Sequence, residues 1–131
     1  MKTLEIQTSS REALVDITSL VEEEVRREKI KTGLCLVYAP HTTAAITINE
    51  NADPTVRQDV LMTLKKAAPD TLAYAHLEGN SPAHVKASLV GSSVLLIIED
   101  GRLALGTWQG IFFCEFDGPR RRKVYLKMIP G

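Results

Sequence analysis

Leu4 and Ile6 alternate with Glu5 and Gln7, and a second short run with β character covers Ala13 to Ile17, so the chain is expected to open with two strands forming a hairpin. From Thr18 to Lys29 the period changes. Leu20, Val21 and Val25 make an apolar stripe, and the order Glu22-Glu23-Glu24 then Arg26-Arg27 supplies i,i+4 pairs and suits the helix dipole, which predicts a helix closed near Gly33. Leu34 to Tyr38 and Ala44 to Asn49 return to strand character, the second with Ile46 and Ile48 on one face and Ala45, Thr47 and Asn49 on the other.

Asp53-Pro54 opens the clearest helix. Asp53 can cap, Pro54 suits the first helical position, Val56, Val60, Leu61 and Leu64 fall on one face, and Ala68-Pro69 stops it. Ser81-Pro82 repeats the start signal, predicting a short helix from Pro82 to Val90 with Ser81 as its cap and Gly91 as its end. Strands are then expected at Val94 to Ile98, Ile111 to Phe116 and Lys123 to Ile129, with a shorter one around Leu103 to Leu105. Strands dominate both ends and helices lie between them, so the expected class is α+β: a largely antiparallel β-sandwich with two to three helices.

Length and charge narrow the function. A chain of 131 residues, here residues 1–131 taken together, is one domain with its own core. Sixteen basic residues balance sixteen acidic ones, so no global field draws the protein to nucleic acid or to an anionic membrane. No apolar stretch approaches the ~20 residues that span a bilayer. Cys35 and Cys114 lie in apolar runs as small hydrophobic thiols do, and without a signal-peptide pattern the expectation is a reduced, cytoplasmic protein.

The chemistry concentrates around three histidines. His76 and His84 bracket Leu77-Glu78-Gly79-Asn80-Ser81-Pro82-Ala83, Lys86 follows, and His41 sits in Pro40-His41-Thr42-Thr43. In the first turn of a helix the dipole disfavours an imidazolium at His84, and neutral imidazole is the form that binds metal. Free N–H groups of that turn, with Lys86 as a nearby cation, could hold a phosphate. No zinc-finger or His-Glu-x-x-His spacing is present, and each histidine alone is also read as a surface or hydrogen-bonded core residue.

Four blocks in order, His41 to Pro54, Glu78 to Lys86, Gly106 to Ile111 and Glu115 to Arg120, resemble the YjbQ-like family of small proteins, and the match spans nearly the whole chain. The resemblance implies a β-sandwich with helices that trimerises about a threefold axis, a divalent metal (zinc or magnesium) at His41, His76 and His84, and kinship to proteins with a secondary thiamine-phosphate synthase activity. That reaction joins a thiazole phosphate to a pyrimidine diphosphate and releases diphosphate, so it needs cations and a surface for a ring. Lys86 and Arg120 could supply the charge, Trp108 a stacking face, and Asn80, Ser81 and Gln109 hydrogen bonds. Trp108 is equally read as a core or interface residue, and Arg120-Arg121-Arg122 as a solvated strand entry.

Glu50 and Asp53 are the acidic candidates for metal bridging or proton transfer, although Asp53 also serves as a cap and Glu50 as a strand end. If Leu34–Tyr38 and Ala44–Asn49 form a tight hairpin, His41 lies at its turn and Glu50 roughly 20 Å away, at ~3.3 Å per residue. One chain then could not bring them together, whereas neighbouring subunits could. Two other classes stay open: a metal-dependent hydrolase of a phosphorylated metabolite, and a non-catalytic trimer that binds a small ligand.

Overall fold

The structure is a computed structural model describing residues 1–131. Its elements run β1 (Lys2–Gln7), β2 (Ala13–Asp16), α1 (Thr18–Glu28), β3 (Gly33–Tyr38), β4 (Ala44–Glu50), α2 (Pro54–Ala67), α3 (Ser81–Val90), β5 (Ser93–Glu99), β6 (Arg102–Leu103), β7 (Gln109–Glu115) and β8 (Arg121–Pro130). They build a five-stranded sheet in the order β1-β8-β3-β5-β6 and a three-stranded sheet in the order β2-β7-β4. Every pairing is antiparallel. The α+β class with a two-sheet core and three helices is therefore as expected.

The expected opening hairpin is absent, and so is the tight hairpin considered for Leu34–Tyr38 and Ala44–Asn49. β1 pairs with β8 in the large sheet while β2 pairs with β7 in the small one. Likewise β3 lies between β5 and β8, whereas β4 pairs with β7. Adjacent strands in the chain thus cross between sheets, because each has an apolar face that is better buried in the space between the sheets than at the edge of a two-stranded ribbon.

The main core fills that space. Ile6, Cys35, Val37, Ile98, Val124 and Leu126 come from the large sheet, Ile46, Ile111 and Phe113 from the small one, and Val21 and Val25 from α1. A second core lies on the other side of the small sheet, where Ala45, Phe112 and Cys114 meet Ala83 and Ala87 of α3, with Val60, Leu61 and Leu64 of α2 packed against them. β7 is therefore buried on both faces from Gly110 to Glu115. That explains its unbroken apolar run and burial of the Cys114 thiol, whose pKa is pushed up to about 12; Cys35, likewise buried, rises to about 11.

Asp53 caps α2, its Oδ1 accepting from the Thr55 N–H at 2.9 Å. Two boundary expectations change. α1 ends at Lys29 in the left-handed conformation, not at Gly33, which instead starts β3 where a Cβ would stand 2.2 Å from the Ile129 carbonyl oxygen. The cap position of α3 belongs to Asn80, with Ser81 already helical and no side-chain capping bond.

The outer face of the large sheet is unusually apolar. Tyr38, Leu95, Ile97 and Ile129 are exposed there, and the register sets Leu34 between Ile97 and Ile129 and Leu36 beside Leu95. Tyr38 also stacks on Tyr125 with ring centroids 6.3 Å apart.

Candidate functional site

Glu115 ends β7 with no exposed surface, and its carboxylate is saturated. It accepts from Thr8 Oγ1 at 2.8 Å, from Arg122 Nε at 2.9 Å and from the Asp117 N–H at 3.0 Å, and a further N–H of the Arg122 guanidinium closes a bidentate pair. The same arm of Arg122 reaches Thr43 Oγ1 at 2.9 Å. Burial pushes the Glu115 carboxyl up, but the bonds from Arg122, Asp117 and Thr8 outweigh it and hold its pKa below the usual value. One buried carboxylate thus ties together the loop after β1, the β3–β4 connection and the β7–β8 loop. The close packing reaches Gly118, where a Cβ would sit 2.3 Å from the Ser10 carbonyl oxygen.

His41 stands on this base. An open pocket of ≈ 490 Å³ is lined by Tyr38, Pro40, His41, Thr42 and Thr43 on one side and Arg120 and Arg122 on the other. The Lys123 N–H donates to His41 Nε2 at 2.9 Å, and the Lys123 carbonyl oxygen lies 3.1 Å from the same nitrogen. The ring meets Phe113 edge-on. Desolvation, then the Arg122 charge, lowers the His41 pKa, so the imidazole is neutral at pH 7. Because the Lys123 backbone offers both a donor and an acceptor, either neutral tautomer is satisfied at Nε2. Nδ1 is left to give or take a proton.

Arg120 is half exposed at the rim. Its Nε donates to the Asp117 carbonyl at 2.9 Å and a terminal nitrogen to Asp117 Oδ2 at 3.1 Å, and that same Oδ2 accepts from Asn80 Nδ2 at 2.9 Å. The link joins the arginine pocket to the N-terminal end of α3, where the rings of His84 and His76 lie perpendicular with centroids 5.3 Å apart. Glu78 Oε2 is 3.8 Å from His76 Nε2.

The histidines therefore divide. His76 and His84 form a pair, His41 belongs to the separate Arg120–Arg122 pocket, and no group of three or more His, Cys, Asp or Glu side chains in one chain is arranged to hold a metal ion. Two imidazoles with a nearby carboxylate match the donor types of a zinc site, but one chain does not complete the set.

Lys86 does not face the start of α3. Its side chain is 2% exposed, and the ammonium donates to Glu12 Oε1 at 3.0 Å and lies 5.9 Å from the centre of the Phe116 ring, so it pins α3 to the loop before β2. The first-turn donors of α3 are also partly used, since the N–H groups of Ala83 and His84 bond to the Asn80 carbonyl and Pro82 has none. Ser81, that turn and Lys86 are thus not brought together as one cluster, and the half-exposed cation of this region is Arg120, which lines the His41 pocket.

The remaining candidates lie at the far end of the small sheet. Glu50 pairs with Gln109 across β4 and β7, while Ala44 pairs with Glu115 at the opposite end. At ~3.3 Å per residue the two ends are roughly 20 Å apart, so the separation anticipated from a hairpin persists in a different topology. Gln109 Oε1 accepts from the Gly106 N–H at 2.8 Å, and the Trp108 carbonyl accepts from the Asn51 N–H. Trp108 is 62% exposed. Asp53, fully exposed, is occupied in capping, and its bonds to Thr55 lower its pKa.

Glu115, Asp117, Thr8 and Thr43 carry no role in the sequence reading, and Arg122, read there as part of a solvated strand entry, is instead 3% exposed because its guanidinium is paired with the buried Glu115. The available signal was a glutamate ending the apolar run Ile111-Phe112-Phe113-Cys114, since a charge in such a run requires a buried partner.

Three helices on two antiparallel sheets is the α+β architecture that this chain shares with solved structures of YjbQ-like proteins. A structure from Clostridium acetobutylicum, described as a protein of the yjbq/upf0047 family, superposes with a TM-score of 0.96 at 53% identity, covering 98% of this chain and all of that one (100%). A YbjQ-like protein of unknown function from Sulfolobus solfataricus gives 0.95 at 33% identity over 99% of this chain and 96% of its own. UPF0047 protein YugU of Bacillus subtilis is 52% identical over 130 residues, 98% of each chain. UPF0047 protein MJ1081 of Methanocaldococcus jannaschii is 55% identical over 125 residues, 95% of this chain and 91% of the relative. The model of the family described as UPF0047 protein YjbQ-like matches residues 2–131, and the chain belongs to that family.

Proposed function

We propose that this protein is an enzyme of small-molecule metabolism whose His41–Arg120 pocket receives the phosphate group of its substrate. The observation that carries the reading is the pairing of a braced, half-exposed guanidinium with a neutral imidazole across one open polar pocket. Arg120 would meet the anion with the N–H donors that Asp117 leaves free, Thr42 and Thr43 would add hydroxyls, and His41 would carry the proton. Transfer with release of diphosphate, as in thiamine-phosphate synthesis, suits a cation beside a proton carrier; hydrolysis would require activated water, and simple ligand binding would leave His41 dispensable.

The protein is proposed to act as a homotrimer in the cytoplasm. The apolar outer face of the large sheet supports self-association, because Leu95, Ile97 and Ile129 gain by leaving water. The buried, unpaired thiols Cys35 and Cys114 support a reducing compartment. No helix is long and apolar enough to cross a membrane. A second reading adds a divalent metal, zinc or magnesium, at His76 and His84; the 5.3 Å perpendicular pair with Glu78 nearby favours it, with a neighbouring subunit completing the ligands.

Calorimetric titration with inorganic phosphate and diphosphate, with and without added zinc or magnesium, tests the reading. Binding that Arg120→Ala removes is expected. Equal affinity in parent and variant, or no binding to either, overturns it. Metal content of parent and His84→Ala after zinc supplementation tests the second reading, which fails if both stay near zero.

A further inference from the structure

Asp117 is the junction between the arginine pocket and the histidine pair. Its N–H is held by Glu115 at 3.0 Å, and so its backbone is anchored to the buried hub. Its carbonyl and its carboxylate take Arg120 at 2.9 and 3.1 Å, and the same carboxylate oxygen takes Asn80 at 2.9 Å. These contacts bind one face of the Arg120 guanidinium to the protein and leave its other N–H donors for the pocket. Asn80 in turn occupies the cap position of α3, one turn before His84.

We infer that Asp117 is a positioning residue: it aims Arg120 at the phosphate pocket and locks the start of α3, with the His76–His84 pair, to the same loop. The inference rests on the phosphate reading above for its functional consequence, but not for its geometry. Simple electrostatics makes the opposite forecast. A carboxylate 3.1 Å from a guanidinium reduces the positive charge an anion meets, so Asp117→Ala should tighten phosphate binding if charge alone matters. If Asp117 acts by orientation, the same change weakens binding, because a mobile side chain at the rim must be ordered each time the anion arrives.

Two measurements on the full-length protein decide it. Calorimetry with inorganic phosphate should show affinity in Asp117→Ala reduced about tenfold relative to the parent, equivalent to about 1.4 kcal/mol, with the circular dichroism spectrum and oligomer size unchanged. NMR of the Arg120 guanidinium and Asn80 side-chain amide resonances, in the absence of any ligand, should show both displaced in Asp117→Ala. Equal or tighter phosphate binding in the variant overturns the inference, as do unmoved resonances. Should the parent bind no phosphate, the phosphate reading fails by itself, and the ligand-free resonances still decide whether Asp117 sets the geometry.

Discussion

Replacing Glu115 by Leu should destabilise the protein far more than replacing Glu115 and Arg122 together by Leu and Met. Glu115 is 0% and Arg122 3% exposed, so removing one partner leaves the other charge without a counter-ion in the interior. The expected cost of either single change is about 3–5 kcal/mol. Against a total stability of about 5–15 kcal/mol for a domain of this kind, that is a large fraction. At roughly 4 °C per kcal/mol the melting temperature falls by about 12–20 °C. The double variant removes both desolvation penalties and fills the space with apolar atoms, so it should recover most of the loss. Thr8, Thr43 and the Asp117 N–H still lose their partner, which keeps it below the parent by about 1–3 kcal/mol. Urea denaturation at one fixed protein concentration, completed as a double-mutant cycle, measures the coupling. Singles that cost under ~1 kcal/mol, or a double no more stable than either, would show that the pair is not the clamp inferred from its burial.

Lys86→Met should cost only about 1–3 kcal/mol, because Glu12 is partly exposed and can be rehydrated, and it should leave phosphate affinity unchanged; a tenfold loss would place Lys86 in the binding site after all. For His41 the folded pKa lies below 6.5, so the unfolded chain binds more protons between the two values. Stability contributed by the neutral ring is complete above pH 6.5 and declines as pH falls from there toward the folded pKa. Comparing denaturation of the parent and His41→Asn across that range should show a steeper acid decline in the parent, and parallel curves would contradict the shift. Leu95→Glu on the outer sheet face should reduce the sedimenting mass of the proposed trimer while preserving the circular dichroism spectrum; a parent that sediments as a monomer would remove the basis for self-association.

Several elements could be read directly from the chain because their causes are local. The Asp53-Pro54 start of α2, the charge order of α1, the Gly91 end of α3 and the alternation in β1 depend on neighbours a few residues away. The α+β class followed from the order of such segments. Two of the pocket's parts, His41 and Arg120, could likewise be singled out, since their side-chain chemistry is visible without coordinates. Only the tertiary structure decided which strands pair. Leu34–Tyr38 and Ala44–Asn49 look like a hairpin in sequence, yet burial of β3 between β5 and β8 sends them to different sheets. That crossing carries His41 to the Arg122 pocket and away from His76 and His84. It also decided that Lys86 is a buried strut paired with Glu12, and that Asp117 joins Asn80 to Arg120. These contacts link residues far apart in the chain, and their energies depend on desolvation and close packing, which no window of neighbouring residues contains.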